Sequence, residues 1–196
     1  MSSVCRSLWV YGLAFLLLLP AAQGTAAPAP QQRPAAASLA PYVPTPQEVV
    51  DRMLALAQVT KDDVVYDLGC GDGRIVITAA RQFGARGVGI DIDPQRISES
   101  EANAKAAGVE GLVSFKLQDA MTVDVSPATV VTLYLLSASN LKLRPILTKQ
   151  LRPGARIVSH AFTMGDWRPV KTDEFTDGNG TMRTLYLWTS DGTVRP

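Results

Sequence analysis

A chain of 196 residues with 46% hydrophobic and 19% charged residues has room for one α/β domain with a buried core. Lysine and arginine total 19 against 18 aspartates and glutamates, a formal charge of +1, so neither nucleic acid nor an anionic membrane surface is expected as a main partner. The two cysteines, Cys5 and Cys70, suit neither a disulfide framework nor a zinc site, and there is no repeat or basic run.

The amino terminus reads as a leader. Arg6 precedes an apolar run over residues 8–19 and a small-residue stretch over 20–27, the pattern of a secretory signal peptide cleaved after Gly24 or Ala27. The apolar run is short for a membrane span, which needs about 20 residues, and an uncleaved anchor is the alternative. The expected organisation is a signal peptide or N-terminal anchor over 1–27, a disordered Ala/Pro-rich linker over 28–40 and one domain over 41–196.

The domain opens on Pro41-Tyr42-Val43-Pro44-Thr45-Pro46, an extended segment leading to a helix. Thr45 as N-cap, Pro46 at the first position and Glu48 complete a capping box, and Val49, Val50, Met53, Leu54, Leu56 and Ala57 form an apolar stripe. Residues 64–68 are a β-branched strand ending in Asp67 and Leu68, and Gly69, Gly71 and Gly73 follow as G-x-G-x-G. A dinucleotide fingerprint reads G-x-G-x-x-G. Here the third glycine comes early, and Asp72 would repel a pyrophosphate, so the loop suits a ligand without phosphate there.

Ile75, Val76, Ala79, Ala80 and Phe83 predict a helix closed by Gly84. A second apolar strand ends in Asp91, 24 residues beyond Asp67. Asp93-Pro94 caps the next helix, with Ile97, Ala104 and Ala107 inward and Gly108 at its end. Residues 113–120 read as a third strand running to Asp119 and Ala120. Residues 130–136 read as a fourth, with Tyr134 near its carboxyl end and Asn140 capping a helix over 141–147. A turn at Pro153-Gly154 leads into a fifth strand ending at His160, the sole histidine, before Phe162 and Trp167. Segments 170–175 and 182–188 flank Asp177-Gly178-Asn179-Gly180, a hairpin signal.

Asp67-Leu68-Gly69-Cys70-Gly71-Asp72-Gly73 resembles motif I of the class I S-adenosylmethionine (SAM) dependent methyltransferases. The resemblance spans roughly residues 41–190 and implies an α/β fold, a doubly wound, mostly parallel seven-stranded sheet with an antiparallel C-terminal hairpin. It implies cofactor contacts at Asp67, Gly69, Gly71 and Gly73. It places the ribose hydroxyls on Asp91 and the adenine amino group on the third-strand motif, at Asp119 and Ala120. Tyr-Val-Pro-Thr-Pro before the first helix, and His-Ala-Phe followed by Asp166-Trp167-Arg168-Pro169, resemble a subset of protein-lysine methyltransferases from mitochondria and bacteria. In that subset the first segment packs over the cofactor, which implies contacts at Tyr42 and Thr45. Many family members carry D/N-P-P-Y/F after the fourth strand. Here the chain reads Leu133-Tyr134-Leu135-Leu136-Ser137, which argues against an adenine- or glutamine-type acceptor.

Methyl transfer from a sulfonium is an in-line displacement that diminishes charge, so alignment and exclusion of water matter more than a catalytic dyad. A lysine acceptor must also lose its proton, which a desolvated aromatic pocket assists. Tyr134, Phe162 and Trp167 are the available aromatics, and Tyr134 and His160 are the catalytic candidates. The expected activity is methylation of a protein lysine. The alternatives are a small-molecule acceptor or SAM binding without turnover; a nicotinamide dehydrogenase does not fit the glycine spacing. No metal site is expected. The leader points to export or membrane anchoring, whereas SAM is made in the cytoplasm, and retention there is the competing expectation.

Overall fold

The β-branched runs need cover on both sides, and one sheet between two helical layers supplies it. The computed structural model describes residues 38–196; the leader expected over 1–27, and all but the end of the linker, lie outside the described residues. In chain order the elements are α1 (Gln47–Leu56), β1 (Val64–Leu68), α2 (Arg74–Phe83), β2 (Arg86–Asp91), α3 (Pro94–Ala106), β3 (Val113–Leu117), β4 (Val130–Leu133), α4 (Ser137–Gln150), β5 (Arg156–His160), β6 (Lys171–Thr176) and β7 (Met182–Thr189). The seven strands lie in the order β3-β2-β1-β4-β5-β7-β6. Strands β1 to β5 are parallel, and β7 runs antiparallel between β5 and β6. The expected doubly wound sheet with its closing hairpin is therefore present.

Alternation along each strand sorts the core. Tyr66, Leu68, Val131, Leu133, Ile157 and Trp188 join Leu143 and Leu147 of α4 on one face. Val65, Val130, Val158 and Leu185 turn to the other face, where α1 supplies Val50, Met53 and Leu54 and α2 supplies Ile75, Val76 and Ala79. Ala104 attaches α3 beside Ile77 and Ala80 of α2. The amino ends of the strands are closed by a polar knot. Buried Asp63 accepts from Thr60 N at 2.8 Å and Thr129 Oγ1 at 2.6 Å, and it pairs with Arg156. That leaves the carboxyl ends open to a ligand.

Several local expectations are corrected. Thr45 does not cap α1: Pro46 holds the cap position without a side-chain bond, and Thr45 is buried. Glu48 reaches across the fold to accept from Gly178 N at 2.8 Å, so no capping box forms. Strand β3 stops at Leu117, because Gln118 N closes the pairing on Asp91 O and Asp119 Oδ1 then accepts from Met121 N to begin a turn. Strand β4 stops at Leu133, where its pairings with β1 and β5 both end. Asn140 lies within α4, which starts at Ser137, and it is fully buried. The Asp93 cap is formed, with Gln95 N donating to Oδ1 at 2.8 Å and Pro94 in the first turn. Gly84 ends α2 in the left-handed region at φ 71°.

Candidate cofactor and acceptor site

The chain reverses its direction across the sheet at β1, which has β2 on one side and β4 on the other. Ligands of open α/β sheets bind at the carboxyl ends beside such a switch point. A cavity of about 390 Å³ opens there. Tyr42, Thr45, Asp67, Gly69, Gly71, Asp91, Asp119, Ala120 and Tyr134 all line it. Gly73 and His160 are not among its lining residues.

The floor is the loop between β1 and α2. Gly69 N and Cys70 N both donate to Ile90 O, at 2.8 and 2.9 Å, and Gly71 N donates to Asp91 Oδ2 at 2.9 Å. Asp91 Oδ1 accepts from Asp93 N at 3.0 Å. One carboxylate thus holds the loop and the entrance to α3, and its remaining lone pairs are free to accept from hydroxyls. Gly71 has φ 53°, and a Cβ there would sit 2.5 Å from the Tyr42 ring. Gly73 serves packing instead: at φ 79°, its Cβ would meet Ser100 and Phe115 side-chain atoms at 2.7 Å.

Residues 38–45 form the opposite wall, fastened at several points. Ser139 Oγ donates to Leu39 O at 2.5 Å, and Leu39 and Ala40, expected as linker, pack on the core. Arg74 donates to Thr45 O at 2.7 Å while its guanidinium grips Asp72, with Nη2 to Oδ2 at 2.5 Å. The Arg96 guanidinium lies 4.3 Å from the centre of the Tyr42 ring. Arg74 and Arg96 escaped the sequence reading. Their partners lie 29 and 54 residues away, and no local pattern marks a side chain that fastens a distant segment.

Asp67 is 3% exposed, and Thr132 Oγ1 donates to its Oδ1 at 2.8 Å. Burial, with Asp91 and Asp72 nearby, pushes its carboxyl up to about 7 against that hydrogen bond. Burial also resists ionisation of Asp72, but the bonded Arg74 guanidinium prevails and holds that carboxyl below its ordinary range. The Cys70 thiol is pushed up by burial and then by Asp67 and Asp91, so it stays protonated. On the β4 side, the Tyr134 ring lies 4.1 Å from His160 and 6.3 Å from Phe162, centroid to centroid. His160 is 1% exposed, and burial, then Arg183, pushes its imidazole down to about 4. It backs Tyr134 as a neutral ring. Trp167 lies elsewhere, its ring tilted 6.0 Å from Trp188 and its backbone carbonyl accepting the Trp188 indole N–H at 2.7 Å.

These residues fit SAM. The Asp91 and Asp119 carboxylates border the cavity and would offer acceptors to hydroxyl and amino donors of the cofactor, and Gly69 and Gly71 keep the floor free of side chains. Asp72 disfavours a pyrophosphate in the same loop. Among the described residues no cluster of His, Cys, Asp and Glu could hold a metal ion.

Comparison with known proteins agrees with this geometry. Residues 67–171 match the ANTKMT methyltransferase domain. A protein-lysine N-methyltransferase of Saccharolobus islandicus is 50% identical over 149 residues, covering 76% of this chain and 92% of the archaeal one. The adenine nucleotide translocase lysine N-methyltransferase of Mus musculus is 32% identical over 152 residues; the match covers 77% of this chain and 62% of the mouse protein's length. An RNA methyltransferase from Salinibacter ruber, solved with S-adenosyl-L-homocysteine (SAH), superposes with a TM-score of 0.73 at 56% identity, covering 78% of this chain and 97% of that one. Motif, sheet order and relatives converge, and the chain belongs to the ANTKMT methyltransferase domain family as a SAM-dependent methyltransferase.

Proposed function

We propose that the enzyme methylates the side-chain amine of a protein lysine. The observation that carries this reading is the charge of the cavity beside its aromatic wall. Five aspartates line it (Asp67, Asp72, Asp91, Asp93 and Asp119) against two arginines, Arg74 and Arg96; with Asp67 only partly ionised near pH 7 and Asp72 neutralised by Arg74, the lining keeps a net negative charge. Both arginines are engaged, Arg74 with Asp72 and Arg96 with Glu99 at 2.6 Å. Such a mouth attracts an ammonium and repels a polyanion. The archaeal and mouse relatives, both lysine methyltransferases by name, support the same acceptor.

Bound SAM supplies an electrophilic methyl group on its sulfonium. The protein's part is alignment. The strap over 38–45 and the loop at Gly69 and Gly71 would hold the cofactor, Asp91 and Asp119 would accept hydrogen bonds from it, and Asp67 would offer a carboxylate near the end of β1. Tyr134, after β4, faces the acceptor. Its ring, flanked by Phe162, would desolvate the amine as it enters, which disfavours the charged form, so the proton would pass to solvent at the mouth before the amine is enclosed and attacks. His160 sits behind Tyr134 and shapes the wall without relaying a proton.

A second reading, an RNA acceptor, is favoured by the name of the Salinibacter neighbour. The test incubates the full-length protein with methyl-labelled SAM and separate protein, RNA and small-molecule fractions of a cell extract. Label recovered from protein as methyl-lysine after hydrolysis is the expected result. Label confined to RNA or to small molecules overturns the lysine reading. The leader supports an exported or membrane-anchored enzyme; recovery of the intact chain only from the soluble cytoplasmic fraction would reject that placement.

A further inference from the structure

The geometry points to Asn140 as a positioning residue that sets the aromatic wall on the acceptor side, by holding the turn that carries Phe162 against Tyr134. This rests on the lysine reading above and concerns the same site.

Asn140 has no exposed surface, on a helix whose other buried side chains include Leu143 and Leu147. A buried amide is costly unless its hydrogen bonds are met. Its Nδ2 lies within reach of Ser159 Oγ at 3.2 Å, Phe162 O at 3.2 Å and Thr163 O at 3.4 Å, whereas its Oδ1 has no hydrogen-bond partner among the described residues, so the donor side alone ties it to the turn. One side chain of α4 therefore gathers the chain just beyond β5. That segment is strained. Ala161 has φ 67°, and Phe162 N donates to His160 O at 2.9 Å, a γ-turn of the rare positive-φ kind. A residue with a Cβ keeps such a backbone only where its surroundings over-determine it. Here Asn140 grips the carbonyl side of the turn, and Thr184 O accepts from Ala161 N at 2.8 Å on the other. The turn delivers the Phe162 ring to Tyr134, with His160 behind it. Asn140 does not line the cofactor cavity, so it acts on the acceptor through these rings.

The test uses the full-length protein and its single histidine. The imidazole Hε1 resonance of His160 is followed by NMR against pH in the SAH-saturated protein, for wild type and Asn140→Ser. Arg183 and the Tyr134 ring face this imidazole in both proteins. Releasing the wall admits water, so the titration of His160 should move upward by about one pH unit or more. With poly-L-lysine as acceptor probe, kcat should fall about tenfold while the SAH Kd stays within about twofold, because only acceptor alignment is lost. An unchanged His160 titration, or a turnover loss matched by an equal loss of SAH affinity, would overturn the assignment. If Asn140→Ser does not fold, Asn140→Leu fills the same space without an amide, and the same two readouts decide. Absence of wild-type transfer to poly-L-lysine would count against the lysine reading alone, since the NMR arm still reports whether Asn140 sets the wall.

Discussion

Replacing Asp67 by asparagine should stabilise the ligand-free protein at neutral and higher pH while weakening cofactor binding. The carboxyl is buried at the end of β1 and pushed from an ordinary 3.8 up to about 7. A raised carboxyl pKa means the folded state holds the proton more tightly than the unfolded one. Stability contributed by this group is therefore full below about pH 4 and is lost as pH rises through about 7. A difference of about three pKa units corresponds to on the order of 4 kcal/mol lost by the wild type across that window. Asparagine has no such loss, and its carbonyl still accepts from Thr132 Oγ1, which now donates to Asp67 Oδ1 at 2.8 Å. Urea unfolding of ligand-free protein at several pH values between about 4 and 8.5 measures this directly. The variant should match wild type at the acid end, exceed it increasingly up to about pH 7, and keep a constant lead above that. SAH affinity should fall, because the variant removes a cavity-lining carboxylate proposed to receive the cofactor's ammonium. Parallel stability curves for the two proteins across the range would refute the burial argument.

Gly71→Ala sets a Cβ 2.5 Å from the Tyr42 ring in a left-handed backbone, so the strap must lift; SAH affinity measured by calorimetry should drop about tenfold or more. Arg74→Ala releases Thr45 O and leaves Asp72 unpaired beside the cavity, and stopped-flow measurements should show SAH dissociating severalfold faster. Arg156→Met, at the opposite edge of the sheet, strands buried Asp63 without its ion pair and should lower unfolding stability by about 3 kcal/mol. That variant should bind SAH as wild type does, since no contact of Arg156 reaches the cavity.

Much of this fold is legible along the chain, because its signals are local. The strand runs, the Gly84 stop, the Asp93-Pro94 start and the Asp177-Gly178-Asn179-Gly180 hairpin each follow from backbone preferences within a few residues. The acids Asp67 and Asp91 in the last residues of their strands and Asp119 in the turn after β3 are local signals as well, and they meet in one cavity because parallel strands bring their carboxyl ends to the same side of the sheet. Where local chemistry pointed to two partners, tertiary contacts chose. Thr45 and Glu48 have the spacing of a capping box, yet Thr45 is buried with its carbonyl held by Arg74, and Gly178 N draws the Glu48 carboxylate away. Asn140 suits a helix start in sequence, but acceptors beyond β5 draw it into the core. The order of the strands, the strap fastened across the cofactor site, and the neutral His160 behind Tyr134 were decided by long-range packing. Backbone propensity acts over a few residues and is written in the sequence. Burial and hydrogen-bond satisfaction act between segments dozens of residues apart, and only the assembled core determines which partners they find.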